Sequence, residues 1–260
     1  MKSIRSIKPI ITSTYFAPIV LFVAAILTFT AYIFTNRGDL TSALLVLSGF
    51  MLFITGILML TLVDRRPLPV KLTETLPIAG TLNIAVILAD LGVTSNTIHR
   101  RLPSGEHIQI NPVTGGIVPD LPKGVTFVST DGWNGVQYDA MGGPLLTLLK
   151  TKDNLVIPTG DLTQLGTCIS EVMNDTLSLA EKVTIASTDK SVIITLNGFS
   201  MKNTCAALQK KSPKCCTMVG CPICSLMAAI LAEGGNCDVE STSAVLNGST
   251  LTVAFALLKK

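Results

Sequence analysis

The chain has 260 residues, 48% apolar and only 14% charged, with mean hydropathy +0.55; soluble domains average about 25% charged, so part of it belongs in lipid. Such hydrophobicity excludes disorder, and 20 glycines with 13 prolines exclude a collagen-like chain. A net charge of +3 without a basic stripe argues for no nucleic-acid partner, and seven cysteines, an odd number, are too thinly spread for a disulfide scaffold.

No charged residue occurs between Pro9 and Asn36, or between Leu40 and Val63. Each run exceeds the roughly 20 apolar residues that cross a hydrocarbon core as a helix, and both are apolar on every face. Spans are expected over 12–35 and 40–63, joined by Asn36-Arg37-Gly38-Asp39. Residues 1–66 then form a transmembrane helical hairpin, with the lipid bilayer as partner of 12–63. Lys2, Arg5 and Lys8 precede the hairpin, and Arg65, Arg66 and Lys71 follow it; the turn has Arg37, offset by Asp39. Positive flanks stay inside, which places both termini in the cytoplasm of a two-span cell-membrane protein. The first run is too long for a signal peptide and lacks a small-x-small cleavage site. Tyr15, Tyr32 and Phe34 sit where interfacial anchors would. Neither span carries an ionisable residue, so the hairpin reads as an anchor and not a transport path. Ser42, Gly49 and Gly56 share one face, suited to close packing within the hairpin or between protomers of a homo-oligomer.

Pro67-Leu68-Pro69 is a stiff spacer, and residues 67–260 suit a cytoplasmic domain. Leu82, Ala85, Ile87, Leu88 and Leu91 predict a helix over 79–91, stopped by Gly92. Strands are expected over 97–102 and 107–110 around Pro103-Ser104-Gly105, then a loop over 111–123 and a strand over 124–130. The glycine-rich stretch 131–143 reads as a loop whose Asp131, Trp133 and Tyr138 are candidates to line a ligand pocket. Pro144 opens a short helix to Leu149. A longer helix follows over 162–180, then a hairpin of 183–186 with 192–196. Another helix, 221–233, leads into a hairpin of 238–246 with 250–257, closed by Asn247-Gly248. The repeated order suggests a duplicated α-β-β unit over 161–258. The fold class is α+β, a mixed or antiparallel sheet with helices packed on it.

All seven cysteines follow residue 167, and Cys215, Cys216, Cys221 and Cys224 fall within ten positions. Reduced cytosolic thiols in such a cluster point to metal or redox chemistry. Cys216-x4-Cys221-x2-Cys224 has the local spacing of a plant-type iron–sulfur run, and zinc sites also use a tight Cys-x2-Cys pair. Cys215, nearest in sequence, is the expected fourth ligand. A redox dithiol competes: Cys221 precedes Pro222 at a helix start, where unpaired N–H groups and Lys210, Lys211 and Lys214 would lower its pKa. Packing is the third account, since cysteine is among the most buried residues; Cys168 is core on this reading.

Other chemistry is sparse. The two histidines, His99 and His107, lie on neighbouring expected strands. No Ser–His–acid set, nucleophile elbow, Walker A or Gly-x-Gly-x-x-Gly run appears, so no catalytic residue is assigned. Gly142-Gly143-Pro144 opens a helix and is at most a weak anion site. Arg100-Arg101 and the lysines from Lys202 to Lys214 read as solvated faces, or neighbours of anionic headgroups.

Gly220-Cys221-Pro222-Ile223-Cys224-Ser225, its helix and the closing hairpin resemble a group of archaeal proteins with an N-terminal membrane hairpin and a Gly-Cys-Pro-x-Cys-Ser helix start. More distantly, helix plus hairpin looks like the end of the 4-vinyl reductase domain. That likeness implies small-molecule sensing or metal binding through cysteines; the chain departs from it at Cys237, which precedes the first closing strand. The expected function is a membrane-anchored binding or sensory domain with a zinc or iron–sulfur site, engaging a small-molecule ligand or a protein partner. The alternatives are a Cys221/Cys224 redox protein and a non-catalytic scaffold.

Overall fold

A computed structural model describes residues 16–35, 40–63, 70–114, 118–122, 124–130 and 132–258. The chain divides into two compact units, Met1–Leu68 and Pro69–Lys260.

The first unit holds α1 (Phe16–Thr35) and α2 (Leu40–Val63), packed on each other. Both are long and apolar enough to cross a membrane, with mean hydropathies of 2.3 and 2.5 and 11% of each segment buried. They are candidate spans. A Cβ at Gly49 would lie 2.9 Å from Thr28 Oγ1, and one at Gly56 would lie 3.3 Å from the Phe22 ring. The small-residue face of α2 is therefore the seam of the hairpin itself. Edge-on ring pairs Phe22–Phe53 and Phe29–Phe50 lie along the same contact, with centroids 5.5 and 6.2 Å apart. Tyr32 and Phe34 are exposed. Tyr15, Arg37, Asp39 and the basic residues on which orientation was read lie outside the described residues, as does the Lys71 side chain.

The second unit is an antiparallel sheet with helices, an α+β fold. It runs α3 (Val70–Asp90), β1 (Ile98–Arg101), β2 (His107–Pro112), β3 (Phe127–Thr130), β4 (Trp133–Asp139), α4 (Gly143–Lys152) and α5 (Leu162–Glu171). Then come β5 (Lys182–Ser187), β6 (Ser191–Asn197), α6 (Lys202–Lys211), α7 (Cys215–Met218), α8 (Pro222–Gly235), β7 (Asp238–Asn247) and β8 (Thr250–Leu258). The eight strands lie in the order β3-β4-β2-β1-β7-β8-β6-β5. Helix–hairpin units α5-β5-β6 and α8-β7-β8 meet where β6 pairs with β8.

Four elements differ from the sequence reading. The expected loop 131–143 is largely β4; its glycines disguise it, because a Cβ at Gly135 would lie 2.2 Å from the Trp133 ring that covers it. The helix expected to reach Ala180 ends at Glu171 and closes in a π turn over Val172–Thr176, where Asn174, Asp175 and Thr176 are poor helix formers. The lysine-rich stretch is α6, which buries Thr204, Cys205 and Leu208 and places Lys210 and Lys211 in its last turn, where they suit the dipole. Helix α3 starts at Val70, ahead of the expected Ala79, and carries Pro77 inside it.

Alternation along the strands separates two cores. Ile98, Ile108, Ile110, Val128 and Trp133 form one cluster with Val118. On it Arg100 is fixed by a bidentate pair with Asp238 (2.5 and 2.9 Å) and by the carbonyls of Val118 and Pro119. The larger core lies beneath the helices. At its centre α8 packs on β1 and β7, flanked by α4 and α5. The segment Cys215–Gly235 is apolar enough to be a third candidate span, yet 89% of it is buried inside the domain. It is core, and most of it is α8. Leu226, Met227, Ile230 and Leu231 are at most 1% exposed, and burial of such side chains contributes about 1.5–3 kcal/mol each.

His99 on β1 is fully buried. Burial first, then repulsion from His107, pushes its imidazole down to about 3. The unfolded chain takes up that proton near pH 6.5 and the folded chain does not, so stability falls as pH drops from about 6.5 towards about 3. Thermal melts should show a lower melting temperature at about pH 5 than at about pH 7.5, and His99→Gln should shrink the difference. An unchanged difference in the variant would reject the buried neutral imidazole as its source.

Candidate functional site

The cysteine segment is built from three short helical pieces that polar side chains of the sheet hold in place. Helix α7 is a single turn, and Gly220 takes φ +77° to end it. Few other residues adopt that conformation without strain. Cys221 is then extended, at φ −75° and ψ 165°, as the N-cap of α8, and Pro222 takes the first helical position.

Two polar side chains of β2 reach this turn from the sheet. Asn111 Nδ2 donates to Met218 O (2.7 Å), and Gln109 Nε2 donates to Val219 O. Tyr138 donates its hydroxyl to Asn111 Oδ1 at 2.9 Å. Gln109 Oε1 accepts from Met141 N (2.7 Å) and from Ser225 Oγ (3.0 Å), and Ser225 Oγ in turn accepts from Gly142 N at 2.9 Å. Gly142 must be glycine here, because a Cβ would lie 2.3 Å from Leu226 N. The far end of α8 is also held. Glu233 accepts from Lys150 (2.6 Å) and pairs with His107 (2.9 Å). Burial pushes the Glu233 carboxyl up, but Lys150 and His107 outweigh it and leave it below the usual carboxylate range.

Within this frame the thiols converge. Cys205, Cys215, Cys216, Cys221 and Cys224 are all buried and unbonded. Cys224 stands one turn into α8, and its thiol acts on the Cys221 sulfur. That contact, with the backbone N–H groups of Cys224 and Ile223, outweighs burial and lowers the Cys221 thiol to about 7. The N–H contacts are looser than a formed capping bond. Cys224 is raised well above an ordinary thiol by that contact, by burial and by the neighbouring sulfurs. Cys216 is raised too, first by its hydrogen bond to Cys205 and then by burial.

Cys215 Sγ lies 3.9 Å from Thr81 O on α3, and burial first, then the Cys221 thiol, push it up to about 11. Cys205, on α6, is a further neighbour of Cys216. The sequence signal for Cys205 was available in the spacing of Thr204, Cys205 and Leu208, but the lysines around it concealed the helix. Cys168 is core, as expected, and Cys237 is half-buried. Among the described residues no group of three or more His, Cys, Asp or Glu side chains has the geometry of a metal site.

The proposed Trp133–Tyr138 pocket does not form. The two residues are five positions apart on β4 and so face opposite sides of the sheet; Trp133 belongs to the smaller core and Tyr138 packs on the larger. Tyr138 borders an open cleft of about 670 Å3 with Leu102, Glu106, Val125 and Asp139, which Trp133 does not reach. Asp131 lies outside the described residues. His99 and His107 share the helix-facing side of the sheet, and neither joins the thiols.

Residues 4–104 match the model of a family described as a domain of unknown function, DUF8320. The match covers α1, α2, α3 and β1 and leaves every cysteine outside it. No curated protein and no solved structure matches the chain.

Ser225→Ala should cost about 1–3 kcal/mol, because it leaves the buried Gly142 N–H without an acceptor. Gly142→Ala should cost at least as much, since backbone stands in the way. Urea unfolding of the full chain in detergent, followed by Trp133 fluorescence, measures both; a loss under about 0.5 kcal/mol in each would remove the network from the account of how α8 is placed.

Proposed function

We propose that the chain is a membrane-anchored, cytoplasm-facing thiol–disulfide redox protein, with Cys221 as nucleophile and Cys224 as resolving thiol. The observation that carries this reading is the seat of Cys221 at the N-terminus of the buried α8, with Cys224 one turn further along the same helix. The Cys221 thiolate attacks one sulfur of a partner disulfide, and the other partner sulfur leaves and takes a proton. Cys224 gives up its proton and attacks Cys221, which releases the second partner thiol. Two electrons pass to the partner, and a Cys221–Cys224 disulfide remains. The apolar helices α1 and α2 support the anchor, and the basic flanks support the orientation.

A metal-binding reading, with sensing as its output, retains one specific observation. Cys216, Cys221 and Cys224 are all buried within one short stretch of chain, with Cys205 buried on α6 before it. Zinc or an iron–sulfur cluster suits thiolate ligands.

The test is the pH profile of iodoacetamide labelling, with modified peptides identified by mass. Cys221 should label with a midpoint near about 7, and Cys224→Ser, which exchanges the S–H donor, should move the midpoint. A Cys221 midpoint at the ordinary value of about 8.5 overturns the redox reading. Stoichiometric zinc, or iron with sulfide, in anaerobically purified full chain favours the metal reading.

A further inference from the structure

Helix α3 is apolar on two sides. Its segment Pro77–Asp90 is apolar but too short to cross a bilayer, and no charged residue occurs between Pro77 and Ala89. On one side Thr81, Ala85 and Leu88 are buried in the domain. On the other, Ala79, Asn83, Val86, Ile87 and Asp90 recur at helical spacing and are all exposed. Val86 and Ile87 are 58% and 57% exposed, and Leu91, just past the helix end, is 44% exposed. A surface helix of a soluble domain turns a charged or polar face outward. Asn83 is the one strongly polar residue on this face before Asp90 ends the helix.

We propose that this face of α3, with the lysines of the neighbouring α6, docks on the anionic headgroup region of the bilayer that holds α1 and α2. This inference rests on the membrane-anchor part of the reading above and not on its thiol chemistry.

Charge selects lipid as the occupant. Helix α3 packs on α6 and α7. Lys202, Lys210 and Lys211 on α6 and Lys214 just ahead of α7 are exposed, and no acidic residue occurs between Asp189 and Glu233. An apolar helix face bordered by lysines is what an anionic interface takes up: the apolar side chains enter the acyl boundary while the ammonium groups meet phosphates. A second copy is a poorer fit, because a two-fold contact sets the same patch against itself and brings lysines towards lysines. Chain length adds a second argument. Helix α2 ends at Val63 and α3 begins at Val70, so six residues separate them. However arranged, those residues span at most about 25 Å. The chain itself thus keeps a lipid surface within reach of α3.

The test is tryptophan quenching in the full chain, reconstituted into phosphatidylcholine vesicles with or without phosphatidylglycerol. Ile87→Trp supplies the probe, and wild type supplies the baseline, because Trp133 is buried in the smaller core. Lipids brominated near the headgroup should remove much of the added emission, and aqueous iodide should not. Phosphatidylglycerol should deepen the loss, and Lys210→Glu with Lys211→Glu should abolish that increment. Val86→Trp repeats the measurement from the neighbouring position. An added tryptophan quenched by iodide and untouched by bromolipid overturns the docking surface. Protection from both quenchers also overturns it and assigns the face to protein, whether a second copy or another partner. Bromolipid quenching indifferent to phosphatidylglycerol overturns the part given to the lysines. Release of the chain from vesicles by alkaline carbonate overturns the anchor itself, a failure read separately from the other three.

Discussion

A buried glutamine decides where the thiols stand. Gln109 is fully buried on β2, and its amide is used on both sides: the nitrogen holds Val219 O, and the oxygen receives Met141 N and the Ser225 hydroxyl. A buried polar group left unpaired costs free energy comparable to the bond it loses. The chain around Gln109 is therefore confined to the one arrangement that satisfies every member. That arrangement places Gly220, Cys221 and the first turn of α8 against the sheet. The N-cap geometry of Cys221 follows from a residue 112 positions earlier in the chain.

Helix α8 shows how composition and environment part company. By hydropathy the segment Cys215–Gly235 that contains it qualifies as a membrane span; in the structure α8 is the axis of the domain core, with its polar ends satisfied by side chains. Gln109 and Ser225 serve its start, and Lys150 and His107 hold Glu233 near its end. Helices α1 and α2 have no comparable wrapping, and their exposed Leu, Ile and Phe side chains call for lipid. Two apolar stretches of one chain thus differ in what covers them: protein encloses Cys215–Gly235, whereas α1 and α2 are candidate membrane spans. Clamping both ends of α8 also gives Cys221 and Cys224 a fixed base.

Much of the fold was legible. Periodicity of 3.6 found the second half of α3, Pro144 marked the start of α4, alternation found both closing hairpins, and Asn247-Gly248 marked the last turn. The errors share a cause, which is local composition opposing tertiary use. Glycine in β4 looks like loop until the Trp133 ring is seen to need its space. Lysine in α6 looks like solvated coil until Cys205 and Leu208 are seen to be buried beneath it. At the site, the sequence placed Cys221 at a helix start with Cys224 one turn on, because spacing on one short stretch dictates that much. Cys205 was beyond that logic, since it comes from another helix, α6.

What the sequence determined by itself was therefore everything carried by short-range pattern: two helices without charge, an α+β domain after them, a cysteine at a helix start with a second cysteine one turn on. Tertiary structure alone decided which thiols meet, that Trp133 and Tyr138 face apart, and that the most apolar stretch of the domain is core. The reason is physical. Helix and strand periods act over a few residues and are written in composition, whereas side-chain meetings across a sheet depend on register. A one-residue change of register exchanges the faces, and only the satisfaction of buried groups such as Gln109 and Arg100 fixes it.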